Sequence, residues 1–363
     1  MPDHQWTKDL LQMTRAGLYC PAGDFYIDPW RPVDVAIVTH AHSDHARGGS
    51  RHYVAHQQSE SILRMRLPSD AAFTFHDYNQ PFSHGDAVVS LFPAGHMLGS
   101  AQIRIQVGDR VAVVTGDYKV EQGDSTCAPW VPVPCDLLVT ESTFGMPVYR
   151  WPTQESVFDE INQWWRESAA KGLCCLLYGY AVGKSQRLLA GLDGSIGPIF
   201  THGAVEKGCQ AYRDMGIELP PTIYVADAEK MAAAGDDGDG RLRFTARRGK
   251  KQKVDWRGAM VVAVPSAHGT AWARRFGEIT TGMASGWMAV RGSRRRRATD
   301  RGFILSDHID WPGLMHAIDA CDPKAVWVTH GSSAAVVRYL NETGRSAAVL
   351  ETLFGGGDES EDE

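Results

Sequence analysis

The chain offers no disulfide framework. Its seven cysteines (Cys20, Cys127, Cys135, Cys174, Cys175, Cys209 and Cys321) include no CxxC pair and keep no regular spacing. A cystine scaffold and a zinc ribbon are thereby excluded, and inert thiols in a reducing cytoplasm fit the pattern. Long apolar runs are missing too: none approaches the ~18 residues that cross a bilayer. The opening MPDHQWTKDLLQM has no basic stretch followed by an apolar one, so no secretory leader is expected. There are no internal repeats. Positive charge is not in excess, and a net charge of −6 does not by itself point to nucleic acid. Two tempting loops also fall short. Gly179-Tyr180-Ala181-Val182-Gly183-Lys184-Ser185 has one residue too few between its glycines to cradle a phosphate, and reads as a tight strand-to-helix turn. The GDDGDG run at 235–240 lacks the later glutamate that a calcium loop needs. What these absences leave is a cytoplasmic globular enzyme of 363 residues, long enough for two or three domains.

Against them stands one concentration. Thr39-His40-Ala41-His42-Ser43-Asp44-His45 follows directly on the apolar residues 33–38. Those apolar residues read as a short buried strand ending at Thr39, which puts the polar cluster on the loop that leaves it. Three imidazoles and a carboxylate packed this closely are costly to desolvate unless a cation pairs with them. His40 and His42, two apart, point the same way and can grip one metal ion, while Asp44 and His45 can reach a second. A loop that is merely rich in histidine is the alternative.

The residues up to about 150 read as strand-rich, with apolar or alternating runs at 33–39, 87–92, 101–107, 111–115 and 137–140. From Thr153 the spacing turns helical, with Val157, Ile161, Trp164, Trp165 and Ser168 on one face and Gly172 as the stop. Strand 173–178 and a helix over 185–192 then open an α/β unit, continued by runs at 223–225 and 261–264. Strand 302–305, a helix over 311–320 and strand 325–329 close the pattern. Charge is uneven: residues 241–300 hold fifteen Arg and Lys against Asp255, Glu278 and Asp300. Such a stretch is a phosphate-tracking surface or a solvated loop, and charge alone supports both. The tail 351–363 carries five acids in its last six residues after a glycine run and reads as disordered.

Other strand ends repeat the opening design. His96 sits between Gly95 and Gly99, Asp117 follows Thr115-Gly116, and Glu141 follows the run at 137–140. His308 follows Ser306-Asp307, and His330 follows Val328-Thr329. Singly, His96 and Asp117 are ordinary loop residues, and His308 is a residue at the start of a helix capped by Ser306 or Asp307. Together they line one rim of a sheet structure with metal-ligand and acid–base groups.

HxHxDH at 40–45 with His96, Asp117 and His330 resembles the metallo-β-lactamase fold. Glu141-Ser142-Thr143, the Tyr180–Gln186 turn, His308 and His330 resemble its β-CASP nuclease subgroup. AGHMLGSAQI at 94–103, ASGW at 284–287, the basic run 291–297 and FILSDHIDWPGL at 303–314 are similar to the bacterial exonucleases associated with ATP-dependent DNA ligases. The resemblance implies an αββα sandwich with an inserted α/β cassette. The first part of the sandwich domain would be 1–149, the cassette 150–299 and the completing part 300–350. It implies two divalent cations, Zn²⁺ or Mn²⁺, with His40, His42 and His96 on one and Asp44, His45 and His330 on the other. Asp117 would bridge them, and Asp28 would steady the ligands from behind. Catalysis would fall to Asp44 and Asp117 around a water activated by both metals, with His308 as general acid and Glu141 orienting it.

The implied activity is a DNA exonuclease in DNA repair, working with such a ligase and with a helicase, away from membranes. His330 is the type of residue found at that motif in the RNA enzymes of the subgroup, so an RNA-processing ribonuclease stays open, as does a non-catalytic nucleic-acid-binding metalloprotein. Arg291, Arg294, Arg295, Arg296, Arg297 and Lys184 are the expected nucleic-acid contacts. Tyr180, Trp272, Phe276 and Trp287 are either base-stacking or core.

Overall fold

The computed structural model describes residues 6–237, 242–245, 252–290 and 299–351. The chain divides into two units, the first comprising Met1–Arg150 and Asp307–Glu359 and the second spanning Trp151–Ser306. Arg291 and Arg294 to Arg297, and the acidic run at 358–363, lie outside the described residues. Among the described residues no helix is long and apolar enough to cross a membrane.

The first unit holds two sheets. Gln12–Met13, Leu18–Cys20, Phe25–Ile27, Val35–Ile37, His52–His56 and Ala72–His76 lie side by side in that order. The second sheet runs Ala347–Val349, Ala325–Thr329, Leu137–Glu141, Arg110–Val114, Ala101–Val107, Ala87–Pro93, Phe82–His84. The period of two explains its two faces. Ala112, Val114, Leu137, Val139 and Ala325 share one core with Phe25, Ile27, Ile37 and Val54 of the other sheet. The alternate residues Val113, Leu138, Val326 and Val328 share a second core with helices Trp311–Cys321 and Ser333–Glu342. Truncating one of these fully buried aliphatics, such as Leu138→Ala, costs about 2–5 kcal/mol.

Strand direction positions the chemistry. Arg110–Val114, Leu137–Glu141 and Ala325–Thr329 are parallel neighbours, with Val114 opposite Val139 and Glu141 opposite Thr329. Their C-terminal ends therefore meet at one edge, where Asp117, Glu141 and His330 follow. Phe25–Ile27 and Val35–Ile37 are likewise parallel, so Asp28 and the loop from Thr39 leave the other sheet together. Asp310 caps helix Trp311–Cys321 by accepting from Gly313 N at 2.9 Å. Neither Ser306 nor Asp307 is that cap, and the expected cap moves four or three residues along.

The second unit is built on a parallel sheet ordered Ile223–Tyr224, Ile199–Thr201, Met260–Ala263, Cys174–Tyr178, Ile279–Ala284, Arg301–Phe303. Its inner strand Cys174–Tyr178 is buried at every position, as the unbroken apolar run requires. Helix Gln154–Ala170 starts at Thr153, whose hydroxyl accepts from Ser156 N, and buries the expected face. The helix expected at 185–192 runs from Lys184 to Ala190.

Candidate metal centre

All the histidines and carboxylates named for catalysis belong to the first unit, and most converge. His42 Nδ1 lies 3.1 Å from His40 Nε2 and 3.1 Å from His96 Nε2. Asp117 Oδ2 lies 3.5 Å from His40 Nε2, 3.4 Å from His45 Nε2, and 3.9 Å from both His96 Nε2 and His308 Nδ1. Nitrogen ligands about 2.05 Å from a tetrahedral ion are about 3.3 Å apart, so this spacing is that of a metal shell. Ligand atoms of His40, His42, His96 and Asp117 all fall within 4.8 Å of one another, and those of Asp117, Glu141 and His308 form a second such group.

The ring environments fix the ligating forms. His96 Nδ1 faces the Asp307 carbonyl at 2.9 Å and donates to it, which leaves the neutral ring a lone pair on Nε2. Burial drives His40 and His96 well below the ordinary imidazole range, aided by their histidine neighbours, so both are neutral near pH 7. Neutral imidazole is the form that ligates. His45 is the opposite case. Burial works against its charge, but Asp117, Asp44 and Asp28 outweigh it and raise the ring well above its usual value. Asp117 is held well below the carboxylate range: burial opposes this, and His45 and His308 overcome it.

Asp28 supports the loop from behind. Its Oδ2 takes His45 Nδ1 at 2.7 Å, which turns His45 Nε2 toward Asp117 and Asp44, and its Oδ1 accepts from Thr39 N at 2.8 Å. Thr39 Oγ1 lies 3.1 Å from His40 Nδ1. Gly116 must be glycine here, since its φ is +57° and a Cβ would sit 2.6 Å from the Thr39 side chain. Glu141 is held by Tyr118 N at 2.9 Å and Thr143 Oγ1 at 2.6 Å, and faces His308 Nδ1 with both oxygens, at 3.1 and 3.0 Å.

Asp44 and His330 are set more loosely. The Asp44 carboxylate is half exposed, 3.5 Å from His45 Nε2, and the His330 ring centre is 6.0 Å from that of His45. His330 has a left-handed backbone, φ +55°, followed by Gly331 at +59°. That turn is fixed by Ser142 Oγ and Ser333 Oγ, both donating to the His330 carbonyl.

Known proteins bear on this geometry. No family model matches the chain. A protein of Opitutus terrae named a probable DNA ligase is 30% identical over 337 residues, which is 91% of this chain and 30% of that protein. Endoribonuclease YSH1 of Gibberella zeae is 29% identical over 177 residues, 45% of this chain and 21% of its own. Subunit 3 of the cleavage and polyadenylation specificity factor of Dictyostelium discoideum is 31% identical over 119 residues, 32% of this chain and 15% of its own. The chain is a homologue of the β-CASP nucleases. Its fold is the metallo-β-lactamase sandwich with a second α/β unit. A crystal structure of an Enterococcus faecalis protein of unknown function shares that fold at TM-score 0.56 and 14% identity, over 88% of this chain and 79% of the other. The chain spans less than a third of the length of these curated relatives.

The expected nucleic-acid contacts of this β-CASP homologue fare differently. Lys184 is a buried residue, 2% exposed, with its ammonium 4.9 Å from the centre of the Tyr180 ring. It opens a helix whose residues Lys184 to Leu189 are all buried. Phe276 is core, packed edge-on against Trp256 and Trp272. Of the basic stretch, Arg257 pairs with Asp255 at 2.7 Å and Arg275 with Glu229 at 3.1 Å. Thr39, Thr143, the Tyr118 amide and the Asp307 carbonyl escaped sequence reasoning. The last two are main-chain groups, which a sequence does not mark.

Proposed function

We propose that the chain is a metal-dependent nuclease, most specifically a DNA exonuclease acting in DNA repair in the cytoplasm. The convergence of four imidazoles on one oxygen of Asp117, one of them paired with Glu141, carries the reading. In this reading His40, His42 and His96 hold one divalent cation, Asp44, His45 and His330 hold the other, and Asp117 serves both. The second unit is the β-CASP cassette. Zn²⁺ or Mn²⁺ bound there would lower the pKa of a water and screen the charge of a phosphodiester. The chain's own groups supply the rest. Asp117, buried and ionised, is the permanent counter-charge that holds the histidines in place. Glu141 accepts from His308 Nδ1–H, which leaves Nε2–H to be given to the departing oxygen. Tyr118 N and Thr143 Oγ1 keep Glu141 from rotating away.

DNA as substrate, and a ligase as working partner, rest on the probable DNA ligase of Opitutus terrae, matched along nearly the whole chain. An RNA-processing reading is favoured by His330 and by the endoribonuclease relatives. One assay decides between them: 5′- and 3′-end-labelled single- and double-stranded DNA, and RNA of the same sequence, incubated with the protein in Zn²⁺, Mn²⁺ or Mg²⁺. Stepwise, chelator-sensitive shortening of DNA is expected. Faster RNA cleavage transfers the reading to a ribonuclease, and intact substrates with metal-loaded protein overturn the nuclease.

A further inference from the structure

Thr39, the residue before the first of the clustered histidines, takes no part in the proposed chemistry, yet its hydroxyl meets three groups. Thr39 Oγ1 lies 2.5 Å from Asp28 Oδ2, 3.1 Å from His40 Nδ1 and 3.5 Å from His45 Nδ1. A hydroxyl has one proton to give and two lone pairs to receive with, whereas a carboxylate only accepts. The proton of Thr39 therefore goes to Asp28, the same oxygen that takes His45 Nδ1 at 2.7 Å. His40 Nδ1 can then meet the threonine oxygen only as a donor. That leaves the neutral ring a lone pair on Nε2, the nitrogen that faces His42 Nδ1 at 3.1 Å and Asp117 Oδ2 at 3.5 Å.

The hydroxyl is held where it stands. Thr39 N donates to Asp28 Oδ1 at 2.8 Å, and the Thr39 carbonyl accepts from Ala101 N at 2.7 Å. The backbone of Gly116 closes over the side chain, and Thr39 is 1% exposed, so bulk water does not compete for the oxygen. His96 reaches the same ligating form by a simpler route, donating Nδ1–H to the Asp307 carbonyl. A carbonyl accepts whatever surrounds it. The threonine hydroxyl accepts only because Asp28 has taken its proton, so His40 depends on a carboxylate with which it shares no hydrogen bond. We infer that Thr39 is a positioning residue that passes the hold of Asp28 on to His40, so that one carboxylate sets a ligand of each proposed cation. The geometry stands alone; its purpose rests on the two-metal reading of the centre.

The test is independent of cleavage. The full chain, metal-free and ¹⁵N-labelled at histidine, is read by long-range ¹H–¹⁵N correlation near pH 7, where His40 is neutral. The His40 signals are assigned by their loss in H40Q. A protonated Nδ1 and a bare Nε2 are expected. In T39V the ring should lose that single form, and T39S should restore it. D28A should disturb His40 as T39V does, which a purely local role of the hydroxyl would not produce. Competition titration should find Zn²⁺ held about tenfold more weakly or worse by T39V, and within about threefold of the parent by T39S. Should T39V fail to fold, T39A carries the same arms. The inference is overturned by a proton on His40 Nε2 in the parent chain, by an unchanged ring in T39V, or by D28A leaving His40 as it was. A chain that shows the expected ring form yet binds no metal removes the centre itself, and with it the purpose of Thr39. Unchanged Zn²⁺ affinity in T39V removes only the positioning role.

Discussion

Two groups of histidines occupy the first unit, and they are built on opposite plans. At the strand ends, the rings of His40, His42, His45 and His96 turn their nitrogens toward one another and toward Asp117. At the edge of the first sheet, His56 stacks on Tyr78 with ring centres 3.4 Å apart, and His76 on Phe82 at 3.7 Å. His84 meets Phe25 edge-on at 5.6 Å. There the imidazole serves as a small aromatic ring. Counting histidines therefore says little. What separates a metal-type site from packing is whether the nitrogens face one another or the ring faces touch carbon.

The sharpest way to break this contrast is Asp117→Ala. It removes the oxygen shared by four imidazoles, so cleavage should vanish and metal content, read by elemental analysis, should fall for both proposed ions. Full metal loading of that variant would undo the assignment. His308→Ala is next. Cleavage should drop ~10²–10⁴-fold with metal content kept, because the ring is assigned proton transfer and no ion. Asp28→Ala removes the group that aims His45, and metal affinity should fall ~10–100-fold by competition titration.

The smallest effects belong to the packed set. His76→Phe and His84→Phe should leave metal content and rate within about twofold. His56 gives the contrast a pH signature. Burial lowers its pKa from 6.5 to about 4, and its Nδ1 accepts from Gln58 N at 3.2 Å. The unfolded ring then binds its proton more tightly than the folded one. Stability is full above pH ~6.5 and drains as pH falls toward ~4, by up to roughly 3 kcal/mol at 1.36 kcal/mol per unit. In His56→Phe that share of the drain should disappear from urea-denaturation curves, at a cost of about 1 kcal/mol at neutral pH for the lost acceptor.

The sequence displayed part of this plainly. Residues 101–107 form a strand with the expected bounds, and 87–92 and 137–140 each extend by one residue, because their apolar periodicity decides both burial and pairing. The strand expected at 33–39 is trimmed to Val35–Ile37. Thr39 N leaves the ladder for the Asp28 carboxylate, a partner eleven residues back that no local pattern announces. His52–His56 and Ala72–His76 were not legible as strands. HYVAH carries a polar ring at each end, and AFTFH is short and half-exposed. HxHxDH was legible as metal-binding because its density has few other physical explanations. The Asp307 carbonyl that selects the tautomer of His96 was not, since it belongs to residues 211 positions apart.

The parallel pairing of Glu141 with Thr329 has a consequence in time. His40 leaves the ribosome early, but His308 and His330 lie nearly three hundred residues downstream. At about 5–20 residues per second, roughly 15–60 seconds separate the first histidine from the last. Through that interval the nascent chain carries the opening histidines without the late partners that complete the proposed centre.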